Sequence, residues 1–162
     1  MGKFNNKISA EYNPPRKWIL ERALSYTNPD IDEDALERVG VKVKGSKITC
    51  SKNFETDLAS VPRICWAFIA PWDVARAAII HDLLYKRIRQ YRAKIDENDL
   101  NINTKINNYR TAKVAADDVF HMAMKDAEPS VAKWKIFSAY WSVRLFGRWS
   151  IIPRVEYLSG KK

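Results

Sequence analysis

The feature that most constrains this chain is a change of hydrophobic period near its middle. Before residue 57 the apolar side chains alternate singly with polar ones, as in Val41-Lys42-Val43 and Ile48-Thr49-Cys50. From Trp72 onward they recur every three to four residues. Period two buries one face of a strand and period 3.6 one stripe of a helix, so the chain must join a small β part to a helical part. The expected fold class is therefore α+β. A small antiparallel β part over about residues 16–56 packs on three helices over about 72–91, 109–127 and 130–146. Asn28-Pro29-Asp30 breaks the strands, and a short acidic helix follows from Ile31 to Arg38, stopped by Gly40. Gly45-Ser46 reads as the tight turn of a hairpin, Pro129 separates the last two helices, and Gly147 reads as a helix C-cap. The segment from Ala93 to Asn108 reads as a polar loop, the one candidate for mobility.

At 162 residues the expectation is one domain, 1–162, with a polar N-terminal arm (1–15) and a basic C-terminal tail (148–162). With 46% hydrophobic residues it has enough apolar surface to form a core without a disulfide or metal staple. Its two cysteines and two histidines match no zinc-ligand spacing. The longest uncharged stretch, Ile64 to Trp72, is nine residues, under half of the ~20 that a membrane-spanning helix needs. No apolar signal region opens the chain, and Asn6 stands where a myristoylation motif has Ser or Thr, so synthesis in the cytosol is expected.

The formal net charge is +9 and unevenly spread. Lys86, Arg87, Arg89, Arg92 and Lys94 carry one cluster, and from Pro129 onward seven cations face Glu156 alone. Such a balance attracts polyanions without choosing between nucleic acid, anionic lipid and acidic protein.

The chemistry concentrates on two helices. At 100° per residue Val74, Ala77, Ala78, His81, Leu84, Tyr85 and Ile88 share one stripe with His81 at its centre. A histidine there points inward and needs a partner. On the next helix the apolar face is Ala112, Ala116, Val119, Phe120, Ala123 and Ala127, with Asp117 at its edge and Asp118 turned away. The small alanines allow close approach, so a His81–Asp117 hydrogen bond is expected. Such a dyad fixes the imidazole tautomer and raises its basicity, as a general base requires.

The string AAIIHDLLY (Ala77 to Tyr85), followed by a helix carrying AADDVF (Ala115 to Phe120), resembles the core of phospholipase A2, above all the cysteine-poor parvovirus-capsid type. The resemblance implies that His81 activates water, that Asp82 binds calcium, that Asp117 orients the histidine and that Tyr85 supports the pair. Ala77 and Ala78 stand where secreted members have paired cysteines, consistent with an intracellular chain. One departure is that no glycine lies between Gly45 and Gly147, where that family carries its Gly-rich calcium loop. A longer resemblance uses NFETDLASVPR (Asn53 to Arg63), AAIIHDLLY, AADDVFHMAM (Ala115 to Met124) and YWSVRLFGRW (Tyr140 to Trp149) in that order. It is to a family of unknown function common in tailed phages and prophages, and runs from about residue 16 to 149. It implies a phage protein, made in the bacterial host cytoplasm and then carried in the virion, with other phage structural proteins as partners. Asp57, Ser60, His81, Asp82 and Asp117 fall in its motifs.

Three function classes follow. The first is a virion-associated tail or neck protein of a tailed phage, keeping the His-Asp pair for structure. The second is a metal-assisted hydrolase of lipid or cell-envelope esters or amides, with His81 as base and Asp82 and Asp57 as metal-side carboxylates. The third, resting on charge alone, is a nucleic-acid-associated protein. A Ser60–His81–Asp117 triad is chemically conceivable, but no Gly-x-Ser-x-Gly elbow surrounds Ser60, and Asp and Ser before Pro commonly bond nearby amides. A His-Asp phosphohydrolase would need a histidine upstream of His81, and none exists. His121, one turn beyond Asp117, suits the rim of the site. The third long helix mixes Trp134, Phe137, Tyr140, Trp141 and Phe146 with Lys133, Lys135, Arg144 and Arg148. Some of these aromatics must cover the core, and others suit a membrane surface, nucleic-acid bases or another chain.

Overall fold

The computed structural model describes residues 1–15, 17–57, 74–96, 98–128 and 130–153. Its architecture is α+β: two small antiparallel sheets and four helices, three of them long. The strands are β1 (Lys3–Phe4), β2 (Ala10–Asn13), β3 (Lys17–Leu20), β4 (Leu24–Thr27), β5 (Lys47–Cys50) and β6 (Glu55–Thr56). The helices are α1 (Glu33–Glu37), α2 (Ala75–Ala93), α3 (Ile102–Lys125) and α4 (Lys133–Ser150).

One sheet has the order β1-β4-β5 and the other β2-β3-β6. In β5, Ile48 and Cys50 are buried while Lys47 and Thr49 are exposed, the alternation that period two dictates for a strand with one wet face. β5 pairs along β4, with Leu24 opposite Cys50 and Tyr26 opposite Ile48. The hairpin expected from Val41–Val43 is reduced to one bridge, Val43 to Ile48, on the edge of β5 opposite β4. The turn residues Gly45 and Ser46 both take positive φ, 56° and 55°. The β part also begins earlier than residue 16: β1 and β2 lie within 1–15 and pair with β4 and β3.

The acidic helix starts where Asp32 accepts a hydrogen bond from the Ala35 amide at 3.0 Å, and ends before Gly40, whose φ of +82° suits glycine. Helix α3 packs against α1, α2 and α4, while β4 and β5 pack on α2. The α2–α3 seam is lined by Ala77, Ala78, Ala112, Ala115, Ala116 and Ala123, all buried. Small side chains there bring the two backbones close, which sets up the site described next. Two helix limits differ from expectation. α3 begins seven residues before 109, absorbing much of the expected Ala93–Asn108 loop, and α4 runs through Gly147 to Ser150. No helix among the described residues is long and apolar enough to cross a membrane.

Candidate functional site

The stripe expected on α2 is realised: Val74, Ala77, Ala78, His81, Leu84, Tyr85 and Ile88 are all buried. His81 and Asp117 are both 0% exposed and meet across the α2–α3 seam, His81 Nε2 standing 3.2 Å from Asp117 Oδ1. The Tyr85 hydroxyl, one helical turn along from His81, donates to the same oxygen at 2.7 Å. Lys113, one turn before Asp117 on α3, donates to Oδ2 at 2.7 Å. Arg144 on α4 adds an ion pair with Oδ2 at 3.7 Å. Every contact on this carboxylate comes from a donor or a cation, which is how a buried charge is kept.

These contacts set the protonation states. Burial pushes Asp117 toward the neutral acid, but the hydrogen bonds it accepts from His81, Lys113 and Tyr85 outweigh it and hold the carboxyl below its ordinary range. Burial lowers the His81 pKa against the opposing pull of Asp117, so the imidazole is neutral at pH 7. Burial and then the neighbouring Asp117 charge raise Tyr85, leaving its phenol a donor. A carboxylate only accepts, so the single ring proton of His81 sits on Nε2 and Nδ1 carries the lone pair. Nδ1 is buried and has no hydrogen-bond partner among the described residues. The ring is held between Tyr85 and Phe120, with centroids 4.0 and 4.8 Å away.

Asp82 leaves the dyad. It is directed to the β part, where the buried Thr56 hydroxyl bonds its carboxylate. Asp57 is exposed beside the end of β6, and Ser60 lies outside the described residues. Among the described residues no group of three or more His, Cys, Asp or Glu side chains is placed to hold a metal ion. His121 stacks on Tyr140 at 4.5 Å, and Tyr140 donates to Asp118 at 3.1 Å.

The sequence reading missed Lys113 and Gly147. Lys113 bonds two α4 carbonyls, Val143 at 3.1 Å and Arg144 at 2.9 Å, as well as Asp117, and so fixes α4 to the dyad. Its signal was the four-residue spacing to Asp117, the usual span of a helical ion pair. Gly147 is no cap: it faces Tyr85, and a Cβ there would stand 2.2 Å from the tyrosine hydroxyl. A separate cleft of about 580 Å³ opens at the start of α2, lined by Val74, Arg76, Ala77, Val131 and Lys135 among others. Neither His81 nor Asp117 lines it.

Residues 36–143 match the model of a family described as protein of unknown function (DUF1353). No curated protein and no solved structure matches the chain.

Proposed function

We propose, for a chain that belongs to the DUF1353 family, that it is a tailed-phage particle component whose His81–Asp117 pair catalyses hydrolysis of a lipid or cell-envelope ester or amide. The observation that carries this reading is the unpartnered Nδ1 of a neutral, oriented imidazole. A neutral imidazole with a free lone pair, oriented by a carboxylate, is what a general base requires. In the reaction Nδ1 takes a proton from water as the water oxygen bonds to the substrate carbonyl carbon. Asp117 stabilises the imidazolium that forms, with Lys113 and Tyr85 keeping its carboxylate ionised and aimed. The imidazolium then returns the proton to the departing alkoxide or amine as the carbonyl–heteroatom bond breaks, which restores neutral His81. Resemblance of AAIIHDLLY and AADDVF to phospholipase A2 supports the same assignment, and the longer motif resemblance supports the phage setting.

The complete burial of His81 favours a second reading, in which the pair is a core element of a virion protein without turnover. One experiment separates them. The purified protein and His81→Ala are compared for product release from anionic phospholipid vesicles and from cell-wall fragments, with and without added calcium or zinc. Release by the parent that His81→Ala loses while keeping its circular dichroism establishes the hydrolase. No release under any condition, with His81→Ala less stable by about 1–3 kcal/mol, establishes the core pair instead.

A further inference from the structure

Helix α4 is apolar on two opposite sides. Its inner side, with Ile136, Ala139, Val143 and Gly147, is buried against the protein. Its outer side presents Trp134, Phe137, Trp141, Leu145, Trp149 and Ile152, all exposed, from 44% at Trp141 to 64% at Phe137. The spacing of three, four, four and four residues from Trp134 to Trp149 sets a stripe about 22 Å long, taking 1.5 Å of rise per residue, and Ile152 follows just past the helix end. A monomeric soluble surface rarely carries so many large apolar side chains in one line.

The charges around the stripe choose its occupant. No acidic residue occurs from Ser130 to Val155, while Lys133, Lys135 and Arg148 accompany the stripe, Arg148 lying over the Trp149 ring at 4.5 Å. Arg89 and Arg92 of α2 reach the far end, bonding the Ser150 and Ile151 carbonyls at 3.0 and 3.4 Å. A second copy docked by the same face would set these cations against themselves. Exposed tryptophans combine an apolar body with a polar N–H, which suits the boundary between headgroups and acyl chains. The stripe is also a convex ridge on a helix, which lies along a plane more readily than it fills a groove.

We infer that the outer face of α4 docks on an anionic phospholipid surface, with Trp134, Phe137, Trp141, Leu145 and Trp149 entering the headgroup boundary and Lys133 and Arg148 meeting the lipid phosphates. This docking is independent of the His81 chemistry. It would also lay the dyad against the membrane side of the molecule, because Lys113 ties Asp117 to the α4 backbone.

Flotation with vesicles tests it, comparing phosphatidylcholine alone with an equal mixture of phosphatidylcholine and phosphatidylglycerol. The parent protein and His81→Ala should float with the anionic vesicles only, and added salt should weaken this. The exposed-site variant Trp134→Ser/Phe137→Ser/Trp141→Ser should lose at least about tenfold in affinity, and Lys133→Glu/Arg148→Glu at least roughly fivefold per cation, with circular dichroism unchanged. Three results overturn the proposal. One is failure of the parent to float with anionic vesicles. Another is flotation that the triple variant retains. The third is concentration-dependent dimerisation, or oligonucleotide binding, that the triple variant abolishes while vesicle binding persists.

Discussion

His81 holds its proton on the nitrogen facing Asp117, and burial opposes a second one. That state fixes the acid response of the fold. An unfolded histidine takes up a proton near pH 6.5, whereas the folded His81 pKa lies lower. Below about pH 6.5 the unfolded chain therefore binds more protons and stability falls as pH falls, by at most about 1.4 kcal/mol per pH unit for one proton. Asp117, whose folded pKa is depressed, adds its own loss only below the ordinary carboxylate range near pH 4. Burial also lowers the pKa of His121, so the parent must be compared with His81→Gln. Urea unfolding between about pH 7 and pH 5 should show a steeper decline for the parent than for His81→Gln, and equal slopes would remove His81 from the account. At this scale the sequence was legible where side-chain direction follows from helical period, as for His81, Tyr85 and Asp117. Lys113 was not, because a lysine reads as solvated until α4 supplies the two carbonyls that hold its ammonium.

The helices show where period reading stops. Period locates the buried stripe but not the ends, since termini depend on neighbours more than on propensity. The segment Ile102–Asn108 is rich in asparagine, a weak helix former, yet α3 includes it: Asn108 donates to the Tyr91 hydroxyl at 3.3 Å, and Tyr109 receives Arg92 on its ring at 5.1 Å. At the other end of the bundle Gly147 reads as a stop signal, whereas its lack of a side chain serves the approach of α4 to Tyr85. Gly147→Ala would bring a Cβ to 2.2 Å from the Tyr85 hydroxyl and 3.1 Å from Cζ. The overpacking should cost about 1–3 kcal/mol, outweighing the better helix propensity of alanine. Tyr85→Phe alone should lose about 1.5–3 kcal/mol with its bond to the Asp117 carboxylate. Combined, the two substitutions should destabilise by clearly less than their sum, because removing the hydroxyl relieves the worst clash. Additivity within about 0.5 kcal/mol in denaturant unfolding would show that Gly147 and Tyr85 are energetically independent.

Across the whole molecule one carboxylate at the end of α3 gathers three groups of the β part onto the helices. Asp126 Oδ2 accepts from the Gly2 amide at 2.9 Å, the Tyr26 hydroxyl at 2.6 Å and the Asn28 side-chain amide at 3.1 Å. The partners are 98 to 124 residues distant in sequence, so no local pattern announces the junction. The fold class was legible from the two periods, but this closure of the N-terminal strands onto α3 was not. The chain's second residue is also sterically committed: a Cβ on Gly2 would stand 2.6 Å from both the carboxylate and the Tyr26 hydroxyl. Asp126→Ala removes the shared acceptor while Tyr26 and Asn28 stay buried, which should cost about 1–3 kcal/mol. Asp126→Asn, keeping one oxygen, should cost less. A domain with the usual margin of about 5–15 kcal/mol survives either change, so the effect should appear as local opening. Hydrogen exchange should accelerate in β1 and its partner β4, including the Asn5 amide that bonds the Ser25 carbonyl, while α2 and α3 amides around the dyad stay protected. Faster exchange spread evenly over both regions would mean that the β part and the helix pair open as a single unit, with Asp126 closing no separable junction.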